Sequence, residues 1–252
     1  MSSLTRHRRR VSTALAATLA FSPMAACQVS PQGARPGGLS SLFSYAFGDR
    51  AARAEQQWQH LASEDAAACR AALRAAGVRF RAMPDRAAPD PRGCGIPHGV
   101  VVTRGPTGIV YDAPLVVDCS LARQLPAVEA AIQGAATAHL GQRITRVGTF
   151  GTFSCRPVRA GRGSLSEHAF GNAIDLARFA PRRGPAAVVV QHYQRDAEVP
   201  DTPRGRFLRE LEQRLRGLDG VAHVIGPRQN DDHRDHFHID RAWRWWRLGD
   251  EG

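Results

Sequence analysis

Near its C-terminus the chain reads His233-Arg234-Asp235-His236-Phe237-His238-Ile239-Asp240, and this octet restricts the fold more than any other stretch. Three of the ten histidines fall within six positions there. From 236 onward polar and apolar residues alternate. In a β-strand, residues two apart share one face. His236, His238 and Asp240 therefore point one way, and Phe237 and Ile239 point into a core. A lone histidine is most often a surface residue or a satisfied core residue. Three so close, two of them alternating with Phe237 and Ile239, point to a strand that presents ligating side chains on one face.

A second cluster, Ser166-Glu167-His168-Ala169-Phe170-Gly171-Asn172-Ala173-Ile174-Asp175, supplies the complement. Gly171-Asn172 reads as a turn, after which Ala173 and Asp175 share a face of another strand. Two adjacent strands bring Asp175 and His238 together, with His168 entering from the loop. Two histidines and one carboxylate leave a fourth tetrahedral position for water, the pattern of a catalytic zinc (Zn2+) rather than a closed structural one. The chain contains no HExxH, which excludes the standard helical zinc-protease site.

Helical spacing of Trp58, Leu61, Ala62, Ala66, Cys69 and Leu73 predicts a helix over 54–76, stopped by Gly77. Residues 78–95 are rich in proline and turn residues and read as a loop. Val100 to Val102 and Gly108 to Tyr111 read as short strands around Gly105-Pro106. Leu125 to Leu140 is a second helix closed by Gly141, Ile144 to Phe153 a strand, and Pro203 to Leu218 a third helix. Val221 to Ile225 and Phe237 to Ile239 complete the strands. This order predicts an α+β fold: a single domain with a central antiparallel sheet that carries the zinc site, flanked by helices.

The N-terminus carries an export signal. Arg6 to Arg10 is basic, Val11 to Phe21 is an apolar run too short to span a bilayer permanently, and Met24-Ala25-Ala26-Cys27 resembles a bacterial lipobox with Met in place of the usual Leu. The chain thus divides into a lipoprotein-type signal peptide (1–26), a Gly, Ser and Pro-rich flexible tether (27–52) and a zinc domain (53–252). Lipid on Cys27 would anchor the protein to a membrane. The alternative is ordinary cleavage with a free Cys27. Cys69, Cys94, Cys119 and Cys155 remain, an even number in a compartment that permits disulfides. Of three possible pairings, Cys69–Cys94 with Cys119–Cys155 is expected because it joins sequence neighbours. The formal net charge is +11, and the basic residues are all arginine. Four of them lie in the signal peptide, which leaves a mature surface suited to cell-wall polymers or lipid headgroups. No nucleic-acid module is present, and export argues against that partner. The aromatic, basic tail Trp243-Arg244-Trp245-Trp246-Arg247 fits packing on the domain or contact with a membrane or glycan.

The SxHxxGxAxD string at 166–175 and the HxH at 236–238 resemble the zinc metallopeptidases that include D-Ala-D-Ala carboxypeptidases and murein endopeptidases. A closer resemblance, from about Cys69 to Asp240, is to the bacterial extensin-like C-terminal domain family. It includes Cys94-Gly95, Cys119, Phe153-Ser154-Cys155-Arg156-Pro157 and Gly226-Pro227. No Ser-Pro-rich repeat is present, so nothing points to a plant-type structural glycoprotein. The resemblance implies that His168, Asp175 and His238 bind the metal. It also implies that Arg156 stabilises an oxyanion near the substrate carbonyl and that Ser166 lies near the substrate. Many relatives carry a Glu where this chain has Asp235. The endopeptidase-like branch has histidines matching His233 and His236. Strand alternation turns Asp235 away from His238, so His236 assisted by His233 is the expected group that activates water, with Asp235 the alternative base. The implied function is a zinc-dependent peptidase acting on peptidoglycan stem peptides or cross-links, of carboxypeptidase or endopeptidase type. The alternative is a non-catalytic, zinc-stabilised, cell-wall-binding lipoprotein. A monomer exported to the periplasm and lipid-anchored is expected, on the outer membrane by resemblance.

Overall fold

A computed structural model describes residues 39–158 and 164–242. The signal peptide, Cys27 and the aromatic tail lie outside the described residues. In chain order the elements are α1 (Leu39–Ala62), α2 (Ala66–Ala75), β1 (Arg79–Ala82), β2 (Gly99–Arg104), β3 (Val110–Asp118), α3 (Cys119–Ala122), α4 (Leu125–Leu140), β4 (Ile144–Gly151), β5 (Ala173–Pro181), β6 (Ala187–Val188), α5 (Val189–His192), α6 (Pro203–Arg216), β7 (His223–Ile225) and β8 (Phe237–Asp240). The eight strands form one sheet in the order β1-β2-β3-β4-β5-β8-β7, with β6 on β5. All pairings are antiparallel except β3 with β4. That pair is parallel because α3 and α4 make the crossover that a parallel connection needs. The fold is α+β, a single domain from Leu39 onward.

Local chemistry sets the element ends. The Asp65 carboxylate accepts hydrogen bonds from the backbone N–H groups of Ala67 and Ala68 and caps α2. Thr202 caps α6, with Pro203 at its first turn. Gly141, at φ 65°, closes α4. Along β5 and β8 the apolar face is Ile174, Leu176, Phe179, Phe237 and Ile239, all in the main core. α6 covers that face: Phe207 meets Phe179 edge-on, with ring centroids 5.4 Å apart. Each such fully buried Leu, Ile or Phe contributes about 1.5–3 kcal/mol. The opposite face of the same two strands is thereby left to Asp175, His238 and Asp240.

Several expectations are corrected. The helix read over 54–76 is two helices, broken at Ser63-Glu64-Asp65 because Asp65 caps the second. The first begins at Leu39, inside the segment read as a tether. The stretch 78–95 contains β1, a four-residue strand on the sheet edge, too short for its alternation to stand out among prolines. The disulfides are Cys69–Cys119 and Cys94–Cys155, so the expected neighbour pairing does not form. Cys69 on α2 and Cys119 on α3 belong to the main core. Cys94 is buried in a separate small cluster with Leu61, Ala169 and Phe170, against which Cys155 packs. Membership of a core, not distance along the chain, decides the pairing.

The Cys69–Cys119 bridge closes a loop of 50 residues. Loop-closure entropy assigns such a bridge about 4 kcal/mol. The double variant Cys69→Ser/Cys119→Ser is expected to lose roughly that much stability, read from denaturant midpoints under non-reducing conditions. An unchanged midpoint would show that the bridge contributes nothing.

Candidate metal centre

The centre is assembled from three elements. β5 and β8 pair with Asp175 directly opposite His238. His168 enters from the 3-10 turn Glu167–Phe170. Ser166 caps that turn, its hydroxyl accepting from the His168 N–H at 3.4 Å. Gly171 ends it at φ 63°, where a Cβ would meet Ile96 Cδ1 at 2.6 Å, so only glycine fits. Backbone hydrogen bonds fix the turn from outside: Ser154 N–H donates to His168 O, Gly95 N–H to Ala169 O and Asp118 N–H to Gly171 O.

Three donor atoms converge. His168 Nε2 lies 3.1 Å from Asp175 Oδ1 and 3.2 Å from His238 Nδ1, and the last two are 3.0 Å apart. Zinc bonds of roughly 2.0–2.1 Å place tetrahedral donors about 3.3–3.4 Å apart, so this triangle is close to one face of a zinc tetrahedron. His168, Asp175 and His238 are all buried and form a cluster able to hold a metal ion. The second nitrogen of each imidazole is held from behind. His168 Nδ1–H donates to Thr152 O at 3.0 Å, and His238 Nε2–H donates to Asp240 Oδ2 at 2.9 Å. These bonds commit the outer nitrogens, so His168 Nε2 and His238 Nδ1 are the atoms that a metal at the centre would meet.

The electrostatics favour a cation. Burial raises the Asp175 carboxyl, but hydrogen bonds with His168 and His238 outweigh it and hold the group well below the usual carboxylate range. Burial opposes charge on His238, yet Asp175 and Asp240 on either side raise it to about 9. Asp240 is itself anchored, its Oδ1 accepting from His223 Nδ1 and from the Ala242 N–H, each at 2.9 Å. Behind the turn, Glu167 accepts from Gln57 at 3.0 Å and Asn172 at 2.6 Å. Burial, reinforced by the nearby Asp240 carboxylate, pushes Glu167 up to about 8.

The other residues singled out in the sequence fall in different places. His236 stands on the same side as the donors, with Nε2 3.5 Å from Asp175 Oδ1. Asp235 is not turned away from the site: its Oδ1 accepts from His236 Nδ1 at 2.7 Å. Residue 235 precedes β8, so strand alternation does not govern it. His233 is set by Asn230, and its ring centroid lies 5.0 Å from that of His236 and 5.7 Å from that of His238. Burial, followed by these two histidines, lowers His233 to about 4. Arg156 O accepts from the Ser166 N–H, which places the Arg156 backbone beside the turn. The Arg156 guanidinium is exposed and reaches none of the three donors among the described residues. Ser166 is buried as a cap.

Sequence reasoning missed Thr152, Glu167, Asn172 and the anchoring role of Asp240. Asp240 had a signal, since it continues the alternation of His238. Asp240→Ala is expected to weaken metal binding by roughly 10–100-fold, the usual effect of losing a histidine's outer partner. Competition against a chromophoric chelator measures it, and unchanged affinity would deny Asp240 the orienting role.

No curated protein and no solved structure matches the chain. A family model described as extensin-like protein C-terminus matches residues 67–249, which takes in the whole sheet and all three donor residues. The chain therefore belongs to the extensin-like protein C-terminus family.

Proposed function

We propose that this protein is a zinc-dependent peptidase of the bacterial envelope, cutting a peptide bond in peptidoglycan stem peptides or cross-links. The observation that carries this reading is the buried triangle of His168 Nε2, Asp175 Oδ1 and His238 Nδ1, with both distal imidazole nitrogens anchored. Two nitrogens and one carboxylate oxygen suit zinc and leave a position for water or substrate. When bound, zinc lowers the pKa of water toward neutrality and polarises a carbonyl. His236 is placed to take a proton at Nε2, and Asp235 holds its ring. His233 packs beside His236 and narrows the ring's freedom. Arg156, implied by resemblance to murein peptidases, would meet the substrate at the rim, while Ser166 serves as the buried cap of the turn that carries His168. The lipobox-like Cys27 supports a lipid-anchored periplasmic location, and the basic surface supports an anionic wall as the setting.

The test is incubation of the zinc-loaded protein with purified sacculi, followed by chromatography of the released muropeptides. New muropeptides that vanish with a chelator and return with zinc are the expected result. Binding to sacculi without any new product would favour the second reading, a zinc-stabilised wall-binding lipoprotein. The exposed position of the Arg156 guanidinium is the observation on that side.

A further inference from the structure

The metal centre occupies one end of β4 and β5, where Gly151 pairs with Asp175. The other end of the same strands carries a different chemistry. Three turns meet there, at 104–109, 140–145 and 181–186, and between them they hold four arginines and no acidic residue. They line a cavity of about 420 Å³ to which Arg143, Arg182 and Arg183 contribute, together with Thr107, Gln142 and Thr145. All three arginines are exposed, and among the described residues none is ion-paired with a carboxylate. Elsewhere pairing is common: Arg70, Arg146, Arg195, Arg214 and Arg216 each reach an acidic side chain. The lining residue Thr107 is bonded from within the fold by the buried Glu129. The Glu129 oxygens are taken by the Thr107 N–H at 2.9 Å, the Thr107 hydroxyl at 2.7 Å and the Tyr111 hydroxyl at 2.7 Å. Glu129 acts on Arg143 only at a distance.

The frame that carries these arginines is fixed. The buried Gln133 amide brackets Ile144, accepting from its N–H at 2.9 Å and donating to its carbonyl at 2.8 Å, and donates to Thr107 at 3.2 Å. The Arg183 N–H donates to Gln142 Oε1 at 3.4 Å and ties the second turn to the third. Three arginines thus line one cross-braced cavity, with no carboxylate in ion-pair contact among the described residues.

We propose that this cavity is an anion-binding site for a phosphate group. Guanidinium forks match the oxygens of phosphate two at a time. Three forks offer more donors than the two oxygens of a carboxylate can accept, whereas a phosphate presents three or four oxygens and up to two charges. Asp175 and Pro181, the last residue of β5, are six residues apart, or about 20 Å at roughly 3.3 Å per residue, and Arg182 follows directly. The site is therefore separate from the metal centre, and it does not rest on the peptidase reading.

The test compares the full chain with the triple variant Arg143→Gln/Arg182→Gln/Arg183→Gln. Zinc loading and circular dichroism serve as controls for folding and for the distant centre. Calorimetric titration with inorganic phosphate at low salt should show binding to the wild type that weakens at least tenfold in the variant and fades as sodium chloride is added. Cosedimentation with phosphatidylglycerol vesicles, against phosphatidylcholine vesicles, identifies the source of the phosphate. A loss in the variant confined to phosphatidylglycerol supports a lipid headgroup. Phosphate binding that depends on the arginines, with vesicle binding equal in both proteins, supports a free phosphate-bearing ligand. Absence of phosphate and vesicle binding in the wild type, or equal binding of both probes by the wild type and a well-folded triple variant, overturns the proposal.

Discussion

His168→Ala is expected to empty the metal centre while leaving the domain folded. Asp175 and His238 face each other across β5 and β8, so their positions are set by the sheet. His168 alone arrives from outside the sheet, and its removal reduces three donors to two. The loss of affinity should exceed the roughly 10–100-fold attached to an outer partner, because a direct bond to the metal disappears. The turn itself does not depend on the imidazole. Ser166, Gly171 and the backbone bonds from Ser154, Gly95 and Asp118 still hold it, and Cys94–Cys155 stands beside it. Zinc content measured by atomic spectrometry should fall from one ion per chain to near none, with the circular dichroism spectrum retained. A ligand that binds only the folded state raises stability by RT ln(1 + [L]/Kd), about 4 kcal/mol at a thousandfold excess over Kd. Wild-type melting should therefore drop on chelation, and melting of His168→Ala should not respond. Full zinc occupancy in the variant would end the assignment of this triangle as the metal site.

The part of this centre written within single strands was legible in the sequence. The His236-Phe237-His238-Ile239-Asp240 alternation gave the faces of β8, and Gly171-Asn172 marked the start of β5. The helix read from Leu125 to Leu140 and closed by Gly141 is α4, and Gly141 adopts the left-handed conformation that such a stop uses. What sequence spacing could not supply is contact between distant segments. Gln57 reaches Glu167 across 110 residues, and no local pattern announces it. The disulfides follow the division into two clusters, which exists only once α1 and the Cys94 loop have packed around Phe170. Asp235 shows where the alternation rule stops. The rule holds inside β8, which begins at Phe237, and one step before it the backbone is free to turn the carboxylate back onto His236. Arg156 illustrates the opposite case: resemblance carries a role to a position, but the guanidinium direction is set by a surface segment that the core does not constrain.

His236→Ala is expected to keep zinc but lower turnover by roughly 10²–10⁴-fold, the range for a positioned acid–base group. His236 is not one of the three converging donors, so the metal should remain. Its Nδ1–H is committed to Asp235 at 2.7 Å, which leaves Nε2 as the acceptor and turns it toward Asp175 Oδ1 at 3.5 Å. A water held at the fourth tetrahedral position would have this nitrogen available as an acceptor, whereas the Asp235 oxygen next to the ring is already occupied. On the proposed reading Asp235 would be a positioning residue, and Asp235→Asn is expected to weaken turnover through His236 rather than directly. An amide there can offer an N–H to Nδ1 and favour the tautomer with Nε2 protonated, which cannot accept. The expected cost is smaller than that of His236→Ala, falls on kcat rather than KM, and is partly recovered in Asp235→Glu. Because the two groups act as one unit, the double variant should be no worse than His236→Ala alone. Turnover of a muropeptide substrate by the four variants, with zinc content measured in parallel, separates the possibilities. If Asp235→Asn abolishes turnover and His236→Ala spares it, the carboxylate is the base and the histidine its support. If His236→Ala loses zinc, His236 is a metal ligand and the triangle of His168, Asp175 and His238 is incomplete.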